Sequence, residues 1–532
     1  MALTLYRNGS IYSPADPFAT AMLVDGNTVA WLGGEEAAER QGQRAETVID
    51  LQGALVTPAF VDSHTHLAAL GAVLAGADLS CTASAADLLQ AVREAATAGS
   101  RQVTGHGWDE SGWSDPTLPT AVELEQAGAG QGVYLARVDK HSALVNQRLL
   151  QELGLHGITA GLVSGQEHER ICRALVQDPA RVAADQRRAL EHYASRGFAV
   201  VVEMAAEHHG GRAGLEQLLA HADPALPEVY AYWGEAVQGA EQARELVAGF
   251  NSSRLLGLGG DLLVDGSLGS RTAALREPYA DEPSSRGTLY LDARQIAAHL
   301  LACTAAGIQA GFHVIGDAGL DEVLAGFDLA AEQVGVPALQ GGRHRLEHVE
   351  MVDEANRERL LAYSITASMQ PRFDEYWGGE HGMYQARLGE RAGMMNNLAA
   401  MLSAGVPVVF GSDAPVTAVD GWAVVRSAMA LNNVSGRISA RAAFIAQNRS
   451  AYRSIGMMNP YAGQLVIGAP ATFAIWSASE LAVQTPDSRI SSWSTDARAG
   501  TPLLPVVDEE IPQCLRTVRE GVTLFDALSV SA

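Results

Sequence analysis

The sequence predicts an α/β fold: a (β/α)8 barrel of the TIM type, with an insertion after its first strand and a small β domain made from both chain ends. Three observations predict it. Apolar, β-rich runs alternate with helical stretches through the middle of the chain, the pattern of a parallel sheet covered by helices. Both ends instead carry short strand-like runs broken by turn signals. The length, 532 residues with 47% hydrophobic, accommodates a barrel of about 250 residues plus additions.

Taken in order, the first 57 residues read as short strands. Leu3–Tyr12, Ala19–Val29 and Thr47–Val56 alternate or run apolar, with Asn8-Gly9 and Asp25-Gly26 as turns. The barrel runs follow: Ala59–Val61, Phe198–Val202, Glu228–Trp233, Leu258–Val264, Ile308–Val314, Arg345–Val349, Ile365–Met369 and Val406–Phe410. The gap between the first two, about residues 68–197, exceeds what a βα loop needs and reads as an inserted subdomain with helices such as Ala85–Ala98 and Val182–Tyr193. In the tail, Pro470–Trp476 and Cys514–Leu524 are strand-like, with a turn at Glu520-Gly521. Neither end is long enough for a comfortable core alone. Residues 1–57 and 460–532 are therefore expected to pair into one composite β domain beside a barrel spanning 58–459.

The formal net charge of −24 disfavours phosphate backbones and anionic lipid, so nucleic-acid and membrane roles are discounted in favour of a small-molecule substrate. Cys81, Cys172, Cys303 and Cys514 are scattered without a CxxC pair, which argues against a disulfide framework or a thiolate zinc site. Arg7 and Asn8 stand where a signal peptide would be apolar, and no run reaches transmembrane length; the expected location is the cytoplasm.

The chemistry centres on histidines at strand ends. His64 and His66 form an HxH pair in TPAFVDSHTHL; residues two apart on a strand share a face, so both imidazoles can reach one ion. With 15 histidines in the chain, chance supplies about 0.4 such pairs, so the pair is weak alone. Its position strengthens it: barrel active sites lie at the C-terminal ends of the strands. His313 in GIQAGFHVIGDAG, His348 in RHRLEHVEMV and Asp413 in VPVVFGSDAPV occupy the same kind of position. Nitrogen and carboxylate ligands suit a divalent metal, zinc first, manganese or iron less specifically.

The HxH, the lone histidines after strands five and six, and the aspartate after strand eight resemble the amidohydrolase superfamily. A closer similarity, from about Leu5 to Leu524, is to the branch that includes YtcJ-like proteins and N-substituted formamide deformylase. It is carried by GHGWDESGW, KHSALVN, DGSLGSRTAAL (Asp265–Leu275), HVIGDAG and GSDAPV. The resemblance implies a barrel plus a β-sandwich from both chain ends, one or two metal ions, and a homodimer. It also exposes a departure. The branch usually carries a lysine four residues before the aspartate of its DGS element, which bridges two metals when carboxylated; Asp261 stands there. Asp261 replaces that bridge if the backbone shifts or a water intervenes; Glu203, in VVVEM, is another bridge candidate. Each is equally read as a structural partner for an arginine or a backbone amide, and the metal number stays open.

The expected reaction is hydrolysis of a C–N bond outside peptides: an amide, N-formyl group, cyclic amide or carbamate. Asp413 holds the attacking water, accepts its proton and passes it to the leaving nitrogen, and His348 or His313 binds metal or stabilises the oxyanion. Arg271 and Thr272 follow strand four; Arg271 pairs with substrate or with an internal acid. His106, Trp108, Asp109 and His141 come from the insertion, where Trp108 and Trp113 are substrate wall or insertion core. Gln370 is a candidate hydrogen-bond donor to substrate, and Asp317 orients a loop or a ligand histidine. Two other readings stay open: a metal-dependent isomerase or decarboxylase on the same scaffold, and a catalytically degenerate binding protein.

Overall fold

A computed structural model describes residues 3–97, 102–175, 178–220, 223–484, 501–508 and 510–528. Ala98, the end of the helix expected over Ala85–Ala98, lies outside them, as do residues 485–500 of the expected composite domain.

Eight parallel strands form the central sheet: β1 (Phe60–Thr65), β2 (Phe198–Ala205), β3 (Glu228–Trp233), β4 (Leu255–Leu258), β5 (Gln309–Val314), β6 (Arg345–His348), β7 (Thr366–Met369) and β8 (Val408–Phe410). They hydrogen-bond in sequence order. Every residue of β1 and β2 is buried, as strands covered on both faces demand. The chain just past β8 brings the two edges together: Asp413 donates its amide to His64 O at 2.9 Å, and His66 donates to Ala414 O at 2.9 Å. At the opposite end, Phe60, Trp422, Phe444 and Trp476 make edge-on and stacked contacts 5.1–5.6 Å apart. This aromatic plug ties the barrel floor to the β domain, because Trp476 belongs to one of that domain's strands.

The fourth strand differs from expectation. It occupies Leu255–Leu258 rather than Leu258–Val264. Gly259 (φ 88°) and Gly260 (φ 62°) then take left-handed conformations, and a Cβ on either would collide with Gly311 O or the Tyr232 side chain. The pair turns the chain inward before pairing resumes, with His313 donating to Leu262 O at 2.9 Å and Val264 donating to His313 O at 3.0 Å. Asp261 sits on that corner.

The N-terminal strands Leu3–Arg7, Ala21–Asp25, Thr28–Gly33 and Thr47–Asp50 form one sheet. Ser10–Ile11 and Leu55–Pro58 join Phe473–Ser477, Gln513–Arg519 and Val522–Asp526 in a second. Tyr6, Met22 and Val29 share one core with Phe473, Ile475 and Val518, so both chain ends bury the same apolar surface. The expected run Cys514–Leu524 is a hairpin whose turn residues Glu520 (φ 48°) and Gly521 (φ 80°) are both left-handed.

After β1, helices Leu67–Ala75 and Pro179–Ser195 pack together as part of the barrel's first crossover, inside the span expected to be insertion. Tyr193 of the second donates to Asp62 Oδ2 of β1 at 2.9 Å. Between them lies a separate five-stranded sheet, in the order Gly161–Ser164, Ser142–Val145, Gly132–Arg137, Gln102–Trp108, Ala77–Asp78, with its own core of Leu88, Val92, Trp108, Trp113, Leu124 and Leu135. Among the described residues no helix is long and apolar enough to cross a membrane, and the four cysteines are free.

Candidate metal centre

The strand ends deliver four imidazoles and two carboxylates to one point at the barrel mouth. His64 and His66 project from the end of β1, and Asp413 Oδ1 lies 3.3 Å from the Nε2 of each. The Asp261 carboxylate divides its oxygens. Oδ1 faces His313 Nδ1 at 3.1 Å and His348 Nε2 at 3.4 Å; Oδ2 faces His66 Nε2 at 3.6 Å and His64 Nε2 at 3.9 Å. The inward turn at Gly259-Gly260 is what lets this short side chain reach all four.

Each imidazole is fixed from behind. His64 Nδ1 is 2.7 Å from Glu347 Oε2, His66 Nδ1 is 3.0 Å from Met204 O, His348 Nδ1 is 2.8 Å from Gln370 Oε1, and His313 Nε2 is 3.3 Å from Gly266 O. With the outer nitrogens as donors to these oxygens, the inner nitrogens carry lone pairs aimed at the centre. Arg345 in turn clamps Glu347, and also reaches Ser63 O and Ser368 Oγ. Burial raises the Glu347 pKa, but Arg345 and His64 outweigh it and hold the carboxyl at about 2.

Three inward atoms, His64 Nε2, His348 Nε2 and Asp413 Oδ1, are buried with no hydrogen-bond partner. Such groups are costly unless something binds them. Charge points the same way. Burial opposes ionisation of Asp261 and Asp413, yet neighbouring imidazoles outweigh it and hold both well below the usual carboxylate range. Burial likewise opposes a charge on His64, and Asp413 and Asp261 outweigh it and raise its pKa. The pocket is built for positive charge, and its nitrogen and oxygen donors suit a divalent cation. His64 and His348 group with Asp261, and His64 and His66 with Asp413, at spacings that can hold an ion. His348 (φ 71°) and Asp413 (φ 53°) hold strained left-handed backbones here.

The sequence model of the amidohydrolase family matches residues 47–525. The chain belongs to that family. The Bacillus subtilis (strain 168) protein that bears the name amidohydrolase YtcJ is 26% identical over 461 residues, covering 80% of this chain and 83% of that one. N-substituted formamide deformylase of Arthrobacter pascens is 22% identical over 453 residues, 79% of this chain and 81% of its own. Among solved structures, one titled as an uncharacterized metal-dependent hydrolase from Pyrococcus furiosus superposes with TM-score 0.69 at 25% identity, covering 89% of this chain and 98% of that chain.

A cavity of about 670 Å³ opens from the centre between the barrel and the inserted sheet. Of the residues expected to touch substrate, His106, His141 and Thr272 line it, and the His141 ring lies 5.8 Å from that of His313. Five others are turned elsewhere. Gln370 is occupied with His348. Trp108 is fully buried in the insertion core and donates to Leu135 O at 2.9 Å. Trp113 shares that core. Asp109 pairs with Arg137 at 2.7 Å and caps Ser111. Arg271 pairs with Asp281 at 2.8 Å, the internal acid that was the alternative to substrate.

Glu203 is not a member of either ligand group: its Oε2 accepts from the Leu67 amide at 2.7 Å, and burial pushes its pKa up to about 7. Asp317 accepts from the Arg276 amide at 2.9 Å, so it orients a loop rather than a histidine. Two features went unread in the sequence. His208 and His209 line the cavity beside His66, with the His209 ring 4.2 Å from it; nothing in their local pattern marks them. Glu347 was legible only through its neighbour. Strict alternation would send Glu347 and His348 to opposite faces, but the positive φ at His348 breaks it and both side chains reach His64.

Proposed function

We propose that this chain is a hydrolase of C–N bonds outside peptides, working with two divalent ions, zinc by the chemistry of its donors. The observation that carries the reading is the set of buried, partnerless atoms, His64 Nε2, His348 Nε2 and Asp413 Oδ1, aimed at a common centre. His64, His66 and Asp413 would hold one ion and His313 and His348 the other. Asp261, with one oxygen toward His313 and His348 and the other toward His64 and His66, would serve both. Bound divalent ions lower the pKa of water from about 15.7 to about 7 and polarise a carbonyl oxygen.

The protein's own groups supply the proton handling and the orientation. Asp413, ionised throughout the neutral range, accepts the proton of the attacking water and delivers it to the leaving nitrogen. Burial holds His141 neutral, with its pKa pushed down to about 4, so its ring N–H is a hydrogen-bond donor for the substrate carbonyl oxygen. The likeness to N-substituted formamide deformylase supports N-formyl amides as the first substrates to try.

Metal analysis of the purified protein is expected to find two zinc ions per chain, and chelation is expected to abolish hydrolysis of an N-formylamine until zinc is returned. One ion per chain would remove the bridging role of Asp261; metal-free protein with full activity would sink the whole reading. Turnover in heavy-oxygen water separates hydrolysis from isomerisation or decarboxylation, since only hydrolysis puts solvent oxygen into the acid product.

A further inference from the structure

The strands Gly132–Arg137 and Ser142–Val145 of the inserted sheet form a hairpin whose tip, Val138 to His141, points at the barrel mouth. Asp139 docks the tip. It pairs with Arg137 at 3.1 Å and accepts from Ser270 Oγ at 3.0 Å, Ser267 Oγ at 3.4 Å and the His141 amide at 3.2 Å. Its oxygens are therefore committed. Lys140 is next, in a left-handed conformation (φ 59°) that glycine adopts freely and a long side chain does not. Lys140 lines the cavity. Among the described residues no carboxylate lies within ion-pair distance of its ammonium, although Glu169 lines the same cavity.

Asp139 is the one carboxylate whose charge acts on Lys140, and its oxygens are held by Arg137, Ser267, Ser270 and the His141 amide; the other polar groups beside the lysine are neutral. Tyr134 OH is 2.9 Å from His168 Nε2 and 3.4 Å from Cys172 Sγ. Burial pushes the Cys172 thiol up to about 11 and His168 and His106 down to about 4, so at neutral pH thiol and imidazoles are all uncharged. Burial also brings Lys140 down to about 8, which leaves it mostly protonated at pH 7. A cation beside a ligand cavity with no carboxylate at ion-pair distance invites an anion from the ligand.

We propose that Lys140 is an anion anchor in the cavity wall, and that the substrate is an amide bearing a carboxylate on the part remote from the scissile bond. This rests on the hydrolase reading for the scissile bond, but the anchor itself does not need it. Lys140 directly precedes His141, whose ring faces His313, so the anchored carboxylate and the bond to be cut lie within one small molecule's reach. Thr272, on the barrel side of the cavity, gives the wall a neutral polar group; the other cations lining the cavity are Arg173 and Arg181.

The test is calorimetric titration of chelator-stripped protein with hexanoate and with hexan-1-ol, so that carboxylate binding to metal contributes nothing. Wild type is expected to bind hexanoate about tenfold or more tighter than the alcohol. Lys140→Met is expected to bind the two alike, and Lys140→Arg to keep the acid preference, which shows the hairpin still folded. Equal affinities in wild type, no hexanoate binding, or an acid preference surviving in Lys140→Met would each overturn the anchor. A second arm uses the zinc-loaded protein with N-formyl-6-aminohexanoate and N-formylhexylamine. Acid-selective binding with neither formamide hydrolysed leaves the anchor standing and removes N-formyl amides as substrates of the hydrolase reading. Hydrolysis of both with equal kcat/KM does the reverse.

Discussion

The floor of the cavity and its wall hold their side chains by different means. On the floor, every inward imidazole has its outer nitrogen tied to a glutamate, a glutamine or a backbone carbonyl, and the backbones that present them are barrel strands. The wall comes from an inserted sheet with its own hydrophobic core, docked to the barrel at the hairpin tip through Asp139 and the serines of the loop after β4. Under the proposed hydrolysis, the floor would meet charge at fixed positions in the transition state, and the wall would supply recognition. Changes on the floor should therefore cost turnover, and changes in the wall should cost affinity or local stability.

The largest expected effect is on the floor. Asp413→Asn keeps the shape and removes the proposed proton acceptor, so kcat should fall about 10²- to 10⁴-fold while most metal remains bound by the histidines. Stopped-flow or steady-state rates alongside metal content measure both. A variant with near-normal kcat would leave the floor without its base.

Next comes the core of the wall. Trp108→Ala removes a fully buried indole and its bond to Leu135 O, at a cost of about 3–5 kcal/mol in denaturant unfolding. Metal stoichiometry should not change, because no floor residue leans on Trp108. A loss of metal in this variant would show that floor and wall are one unit.

Behind the floor, Glu347→Gln should weaken metal affinity about 10- to 100-fold, since the amide no longer orients and polarises His64 as the carboxylate does. Glu347 also gives the floor a pH limit. Its folded pKa, about 2, lies below its ordinary value of 4.5, so the unfolded chain binds the extra proton first. The stabilisation is complete above pH 4.5 and is lost as pH falls toward 2. Unfolding measured across that window should be steeper in wild type than in the glutamine variant.

The two regions also differed in how far the sequence revealed them. Parallel barrel strands are apolar on both faces, and the chemistry sits where they end, so His64, His66, His313, His348 and Asp413 could be placed at one mouth from strand positions alone. The fourth strand was misplaced because an apolar run continued through Gly259-Gly260; two left-handed glycines ended the strand early and turned Asp261 inward. In the wall, motif proximity misled. Trp108 and Asp109 stand in a motif with His106, but the fate of each is set by residues far along the chain, Leu135 and Arg137, whose approach depends on how the inserted sheet pairs. Lys140 heads the KHSALVN motif, but only the folded structure shows that the neighbouring Asp139 is held by Arg137 and two serines.

The smallest expected effect concerns Arg271, which sequence position alone makes a plausible substrate contact. Its guanidinium is about one-third exposed and already pairs with Asp281 at 2.8 Å, an acid shared with Arg387. Partly exposed ion pairs contribute about 0–1 kcal/mol, so Arg271→Ala should shift stability by no more than that. KM for a carboxylate-bearing formamide should stay within about twofold of wild type. That contrast with Lys140 is the sharpest one available within a single cavity's surroundings. Both residues are cations near the mouth with left-handed backbones, and they differ in whether a carboxylate already pairs with them at contact distance. A large rise in KM on Arg271→Ala would mean that the Asp281 pair opens to admit substrate, and that an ion pair satisfied in the resting protein can still serve as a recognition element.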